Sequence, residues 1–319
     1  MRLVRDEDPV PASPIAGLVT HVPPAAPGPR AAAPILPVLD QLAELQGEVQ
    51  ALQAEVNMLR RRDETLRFYM HRVDEELRLA ARIQQDFLPK MLPQLGRVHF
   101  HTLFRPAGYV SGDLYDVMRL DEEHIGFFIC DAVGHGMPAA LLTMFIKRAL
   151  ATKEIFPDRP GYRLLEPCET LERLNHALVE QDLSQATYAT ALYGVINTRT
   201  LDVAYSKGGH PAPALLRVGG ELTFPPASGA LLGIFPDEKF DVARFRLAPG
   251  DRLFVYSDGI EVGFCGENIA DSERWQDELR RRHNVPTGQL LLELAEELDK
   301  QSGSLQPKDD LTIMAIEVR

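Results

Sequence analysis

The sequence predicts an α+β protein in which antiparallel sheets are covered by helices and a long coiled-coil helix comes first. Three observations predict it. Apolar residues recur on a seven-residue repeat from Val38 to Ala80. From residue 98 onward, strand-like segments outnumber helix-like ones. Many connections between those strands are too short for the helical crossover that a parallel pair requires.

Residues 1–37 carry prolines at 9, 11, 14, 23, 24, 27, 29, 34 and 37, with alanine filling much of the rest. Proline interrupts helices and ladders, and few residues here form an apolar face, so a disordered tail is expected. Residues 38–88 are expected to form the coiled coil and a linker helix. Val38, Leu42, Leu45, Val49, Leu52, Val56, Leu59, Leu66, Met70, Val73, Leu77 and Ala80 fall on alternating steps of three and four, and only Asp63 interrupts them. Such a repeat marks a coiled coil. A helix from Leu42 to Ala80 spans roughly 60 Å. Its apolar seam calls for a partner helix, most simply a second copy of the chain. In a parallel pair Glu55 meets Arg60 favourably while Arg62 meets Arg67 unfavourably. The region around Asp63 is therefore the weak point of the coil, suited either to a static stalk or to a change of register.

Residues 89–319 form the remaining domain. Val98, Phe100, Thr102 and Phe104 alternate with polar neighbours, as in a half-buried strand. Further strands are expected at Leu114–Leu120, Ile125–Cys130, Tyr188–Asn197, Leu201–Ser206, Ala214–Val218, Glu221–Phe224, Phe240–Leu247, Arg252–Tyr256 and Leu311–Val318. Gly219-Gly220 reads as a hairpin turn. Helices are expected at Pro138–Thr152, Pro167–Leu183, Ser272–Arg282 and Thr287–Gln301.

Composition narrows the function. The 319 residues include 46 acidic against 34 basic side chains, a net charge of -12. Nucleic-acid binding needs a basic footprint, which this balance disfavours. Cys130, Cys168 and Cys265 are odd in number and lack metal-ligand spacing, which suits buried thiols in a reducing compartment. No stretch approaches the roughly 18 apolar residues of a membrane span, and no signal-peptide core precedes the prolines. A soluble cytoplasmic protein is expected.

Four aspartates occupy strand ends. Asp113 lies in Ser111-Gly112-Asp113 before a strand. Asp131 follows Ile125–Cys130 and opens Asp131-Ala132-Val133-Gly134-His135-Gly136. Asp258 lies in Ser257-Asp258-Gly259 after a strand, and Asp309 in Lys308-Asp309-Asp310-Leu311-Thr312 before one. Each alone reads as a turn cap. If they converge, electrostatics demands a cation: two carboxylates about 4 Å apart repel by about 4 kcal/mol at an effective dielectric of 20. Oxygen-only ligands select hard cations such as Mg²⁺ or Mn²⁺.

The ordered motifs carry a resemblance. Ala81-Arg82-Ile83-Gln84 to Leu88-Pro89; Arg105-Pro106-Ala107 with Val110 to Asp116; Asp131 to Gly136 with Pro138 to Leu142; Tyr188-Ala189-Thr190; Gly208-Gly209-His210-Pro211; Leu232-Gly233-Ile234; Val255 to Gly259; and Asp309 to Thr312 run in sequence over residues 81–319. This series resembles the metal-dependent protein phosphatase (PPM) superfamily, in its SpoIIE/RsbU-like bacterial serine phosphatase branch. The resemblance implies an α/β/β/α sandwich holding two divalent cations, Mn²⁺ or Mg²⁺. It implies that Asp131 bridges both, that Asp258 and Asp309 complete one, and that Asp113 and the Ala132 backbone carbonyl lie on the other side, with Asp310 the substitute for Asp309. No covalent phosphoenzyme is implied.

His135 can serve as a proton donor to the leaving oxygen or can hold its glycine loop. His210 reads as structural. Asp116 reads as support for the metal ligands or as a solvated turn residue. Ile260-Glu261-Val262-Gly263-Phe264 departs from the family, with its glutamate shifted by one position, and Gly263–Asp271 reads as an altered flap. The implied substrate is a phosphorylated anti-anti-sigma protein of STAS type. A separate sensor or activator would act on the N-terminal helix, with no nucleic acid or membrane partner. The competing expectations are a catalytically degenerate coiled-coil scaffold and a different two-metal hydrolase such as a nuclease.

Overall fold

The computed structural model describes residues 35–181, 187–265, 273–302 and 309–319, and their side chains except at 35–38, 265, 301 and 302. Residues 1–34, which hold most of the proline-rich segment, lie outside the described residues. The chain divides into two compact units, Met1–Phe68 and Tyr69–Arg319.

One helix, α1 (Ile35–Phe87), runs through both units. Its prolines are confined to its two ends: Pro37 lies in the first turn, where a missing N–H costs nothing, and Pro89 follows the last. In the first unit Leu42, Leu45, Val49, Leu52, Val56 and Leu59 are each about half exposed, so the seven-residue stripe lies open along the helix. Asp63 pairs with Arg67 of its own chain at 2.9 Å. No described helix is long and apolar enough to cross a membrane.

The second unit contains two five-stranded antiparallel sheets. In chain order the elements are β1 (Val98–Arg105), β2 (Asp113–Arg119), β3 (His124–Ala132), α2 (Met137–Ala149), β4 (Lys153–Ile155), β5 (Tyr162–Leu164) and α3 (Pro167–Glu180). Next come β6 (Ala189–Asn197), β7 (Asp202–Gly208), β8 (Ala214–Leu216), β9 (Leu222–Thr223), β10 (Ala243–Arg246) and β11 (Arg252–Tyr256). The last are α4 (Gly259–Cys265), α5 (Arg274–Arg281), α6 (Thr287–Ser302) and β12 (Leu311–Val318). One sheet has the order β1-β12-β11-β8-β9 and the other β10-β7-β6-β3-β2.

Strand periodicity sorts the side chains into layers. Tyr115, Val117, Ile125, Phe127, Ile129, Leu192 and Tyr205 of one sheet meet Val98, Phe100, Leu253, Val255, Met314 and Ile316 of the other in a shared core. The alternate residues Leu114, Phe128, Cys130 and Tyr193 face outward and pack under Leu142 and Ile146 of α2 and Leu171 and Leu174 of α3. Phe254, Tyr256, Ile313 and Ala315 pack likewise under Phe264, Trp275, Leu290 and Leu294 of α4 to α6. The result is the α/β/β/α sandwich. Because its strands are covered on both faces, β3 reads as the near-continuous apolar run Ile125–Cys130 rather than an alternation.

Several expectations need correction. The β4–β5 hairpin was not foreseen, because three-residue strands carry too little pattern. The strand expected over Phe240–Leu247 is shortened to β10. Gly263 to Cys265 belong to α4 rather than to a flap, and 266–271 lie outside the described residues. The Gly219-Gly220 turn forms between β8 and β9, with Gly220 at φ 83° and its N–H donating to the Arg217 carbonyl.

Candidate metal centre

The carboxylates gather at one end of the sandwich because of strand register. Asp113, the first residue of β2, is the cross-strand partner of Asp131 near the end of β3. Both belong to the alternation that faces the other sheet. The second sheet brings Asp258, which follows β11 after Ser257, and Asp309, which precedes β12 by way of Asp310. These two segments are tied by the Ser257 N–H donating to the Thr312 carbonyl at 3.0 Å. The backbones approach so closely that a Cβ on Gly259 would collide with the Asp310 carbonyl. Gly112 plays the same part across the first sheet: a Cβ there would lie 3.1 Å from the Ala132 carbonyl oxygen.

The carboxylates act on one another electrostatically. Asp131 is pushed up to about 7 by burial, then by Asp258, Asp309 and Asp310. Asp309 is raised by burial and further by Asp258 and Asp310, against the Asp310 N–H that donates to it at 2.8 Å. Asp113 is 1% exposed, and burial drives it well above the usual range. Ser257 and Thr312 oppose that shift, and Asp131 and Asp310 add to it. The Thr312 hydroxyl donates to Asp113 Oδ2 at 2.6 Å. Among the described residues, no arginine or lysine shifts Asp131, Asp113 or Asp309. Carboxylates that raise one another in this way, with no cationic side chain acting on them among the described residues, make the rim a candidate site for a cation. The donors are all oxygen, which fits Mn²⁺ or Mg²⁺. Among the described residues, however, no three His, Cys, Asp or Glu side chains close into a ligand cluster.

The other expected residues separate. The His135 imidazole is exposed between Gly134 and Gly136, both at positive φ, and makes no hydrogen bond or ion pair with the described residues. His210 is buried, its Nδ1 2.8 Å from the Thr190 hydroxyl. Asp116 is not a turn residue. It sits within β2 on the face opposite Asp113 and pairs with Lys147 of α2 at 2.9 Å. Lys147 also donates to the carbonyl of Phe87 at the end of α1.

Sequence reasoning missed two supports of the site. Gln84 of α1 is only 5% exposed. Its Nε2 donates to the Ser111 carbonyl at 2.6 Å, and its Oε1 accepts the Ser111 N–H at 2.8 Å. It thus holds the backbone just before Asp113 as a neighbouring strand would. Thr312 is the second, and its signal was present: it lies in the Asp309–Thr312 motif and is in step with Met314 and Ile316, which face the core between the sheets.

A family model described as "Stage II sporulation protein E (SpoIIE)" matches residues 121–319, more than half of the chain. The chain belongs to the SpoIIE family. Its relatives include the phosphoserine phosphatase RsbU of Bacillus subtilis, 30% identical over 62% of this chain and 56% of that protein. Protein IcfG of Synechocystis is 25% identical over 76% of this chain and 41% of its own length. The chain thus spans about half the length of these relatives. Among solved structures, the SiaA-PP2C domain of Pseudomonas aeruginosa superposes with a TM-score of 0.66 at 23% identity, covering 78% of this chain and 98% of that domain. The phosphatase domain of SpoIIE from Bacillus subtilis, solved with a fragment of its regulatory domain, gives 0.55 at 22% identity, covering 70% and 62%. The SpoIIE-family chain therefore has the PP2C fold.

Proposed function

We propose that this SpoIIE-family chain is a protein-serine/threonine phosphatase dependent on Mn²⁺ or Mg²⁺. The observation that carries the reading is Asp131, the cross-strand partner of Asp113, pushed up to about 7 by burial and then by Asp258, Asp309 and Asp310, with no cationic side chain acting on it among the described residues. Asp131 would bridge two cations, with Asp258 and Asp309 completing one and Asp113 and the Ala132 carbonyl on the other side. Bound there, the pair would lower the pKa of water from 15.7 towards about 7 and neutralise the phosphoryl oxygens. The protein's own part is positional. Thr312 fixes one oxygen of Asp113, and the Gly259–Asp310 contact brings Asp258 and Asp309 to the same rim. His135, exposed and without a hydrogen bond to the described residues, is free to meet the leaving hydroxyl of a phosphoserine. Asp258, Asp309 and His135 are exposed, which suits a folded protein substrate. A cleft of about 780 Å³ lined by His124, Asn197, Arg244 and Arg246 lies at the other end of the strands and includes none of these aspartates.

RsbU is named a phosphoserine phosphatase, and the family resemblance points to a phosphorylated STAS-type anti-anti-sigma protein as substrate, in the cytoplasm. The open stripe on α1 supports a homodimer in which a separate activator acts through the helix, and Gln84 supplies the contact from helix to site. The second reading, a degenerate scaffold, draws on the lack of a closed ligand cluster among the described residues. Hydrolysis of p-nitrophenyl phosphate and of a phosphorylated STAS protein with and without Mn²⁺ separates the two. Turnover should require Mn²⁺, and Asp131→Asn should lower it by about 10³-fold with an unchanged circular dichroism spectrum. Metal-independent turnover, or an active Asp131→Asn, would eliminate the phosphatase mechanism proposed here.

A further inference from the structure

Asp309 and Asp310 are adjacent carboxylates at the same rim, yet their surroundings differ. Asp309 is exposed, and among the described residues its Oδ1 accepts the N–H of the next residue alone. Asp310 is half-buried and spends both oxygens on one loop. Its Oδ1 accepts the Ala107 N–H at 2.7 Å and its Oδ2 accepts the Gly112 N–H at 2.6 Å. No cationic side chain pairs with it among the described residues. Hydrogen bonds to an ionised acceptor are about twice as strong as neutral ones. These two span the 107–112 loop between β1 and β2.

We propose that Asp310 is a positioning residue for the metal centre and not one of its ligands. It staples both ends of the 107–112 loop to the start of β12, and so fixes the backbone that places Asp113 opposite Asp131. Ser111, between the stapled positions, is the residue gripped by Gln84. The loop is therefore held by Asp310 from one side and by α1 from the other. The kinetic part of this proposal rests on the phosphatase reading; the structural part does not.

The geometry makes asparagine a poor substitute. Two N–H donors converge on the two carboxylate oxygens, and an amide offers only one acceptor. Its NH₂ would face a backbone N–H, so one bond is lost and a donor–donor contact replaces it. Asp310→Asn is nearly isosteric, which guards against the misfolding that Asp310→Ala risks.

The test has two arms on the full chain. In the presence of a chelator, amide hydrogen exchange at Ala107 and Gly112 should accelerate by about 10-fold in Asp310→Asn and Asp310→Ala, and should not change in Asp309→Asn. With metal, the Mn²⁺ concentration for half-maximal turnover of Asp310→Asn should rise by about 10-fold, while turnover at saturating Mn²⁺ returns to within a few-fold of the unsubstituted chain. Asp309→Asn should not recover at any Mn²⁺ concentration. Unchanged exchange in both Asp310 variants would overturn the proposal, as would an Asp310→Asn turnover that saturating Mn²⁺ fails to restore. Absence of Mn²⁺-dependent turnover in the unsubstituted chain would instead remove the phosphatase reading, and the exchange arm would still decide the role of Asp310.

Discussion

His210 shows what the surroundings of the centre demand of a single residue. Burial drives its imidazole down to about 3, against the Tyr256 backbone, which favours the cation, and with Lys207 adding to the fall. The folded state therefore holds it neutral, bonded to Thr190, whose Cα is the cross-strand partner of Asp131. In the unfolded chain the same group titrates at 6.5. The depressed pKa means that the unfolded state gains a proton first as pH falls. Stability from this group is complete above pH 6.5 and drains away towards pH 3. At pH 4.5 the loss is about 2–3 kcal/mol. Urea midpoints at pH 7 and pH 4.5 should fall further for the unsubstituted chain than for His210→Gln. Parallel pH profiles would refute a buried neutral imidazole. At this scale the sequence was readable only where chemistry and motif coincide. The four aspartates announced themselves, because each stands at the end of a strand pattern. Gln84 did not, since a glutamine in a polar helix carries no mark of the backbone it will meet. Asp116 misled because its motif suggested a shared role with Asp113, whereas an odd spacing along a strand places the two on opposite faces.

Among the elements, legibility follows the length of the pattern. α1 repeats its apolar positions over many turns, so its existence was never in question. The eight-residue strands β1 and β12 were equally plain. The short β4–β5 pair was not, and neither was α4, which follows Asp258 at once and is too brief to show a helical period. The stripe on α1 also sets a prediction at this scale. Six apolar residues half exposed on one helix are unusual unless a partner covers them. Leu52→Asp with Leu59→Asp places charge in the centre of that seam without touching the second unit. Sedimentation should show a dimer for the unsubstituted chain and a monomer for the double variant. The catalytic response then reports whether the helix carries a signal. Activity lost with the dimer supports transmission through α1, and a monomer of full activity leaves the coil a plain stalk. A double variant that remains dimeric would contradict the seam itself.

At the scale of the whole molecule, the second unit joins two sheets that contribute their carboxylates separately, so the proposed centre requires a closed sandwich. Cation binding should therefore be folding free energy for the second unit. The net charge of -12 sharpens the expectation, because the metal-free fold already carries excess negative charge. Occupancy at about 100 times the dissociation constant is worth about 2.7 kcal/mol. For a unit of this size that shifts the midpoint by about 5–10 °C. The gain should depend on pH in a definite sense. Asp131 is raised from 3.8 to about 7, so the metal-free fold favours its protonated form. That favour is complete below the unfolded value and is lost as pH rises through 7. Protons compete with the cation over the same window, so Mn²⁺ should stabilise most at pH 8 and least at pH 5.5. Scanning fluorimetry with Mn²⁺, with chelator, and with monovalent salt at equal ionic strength separates binding from screening. Salt alone should recover little of the shift, and Asp131→Asn should lose most of it. An equal rise in the Asp131→Asn variant would place the cation elsewhere on this acidic surface and dissolve the link between closure of the sandwich and assembly of the site.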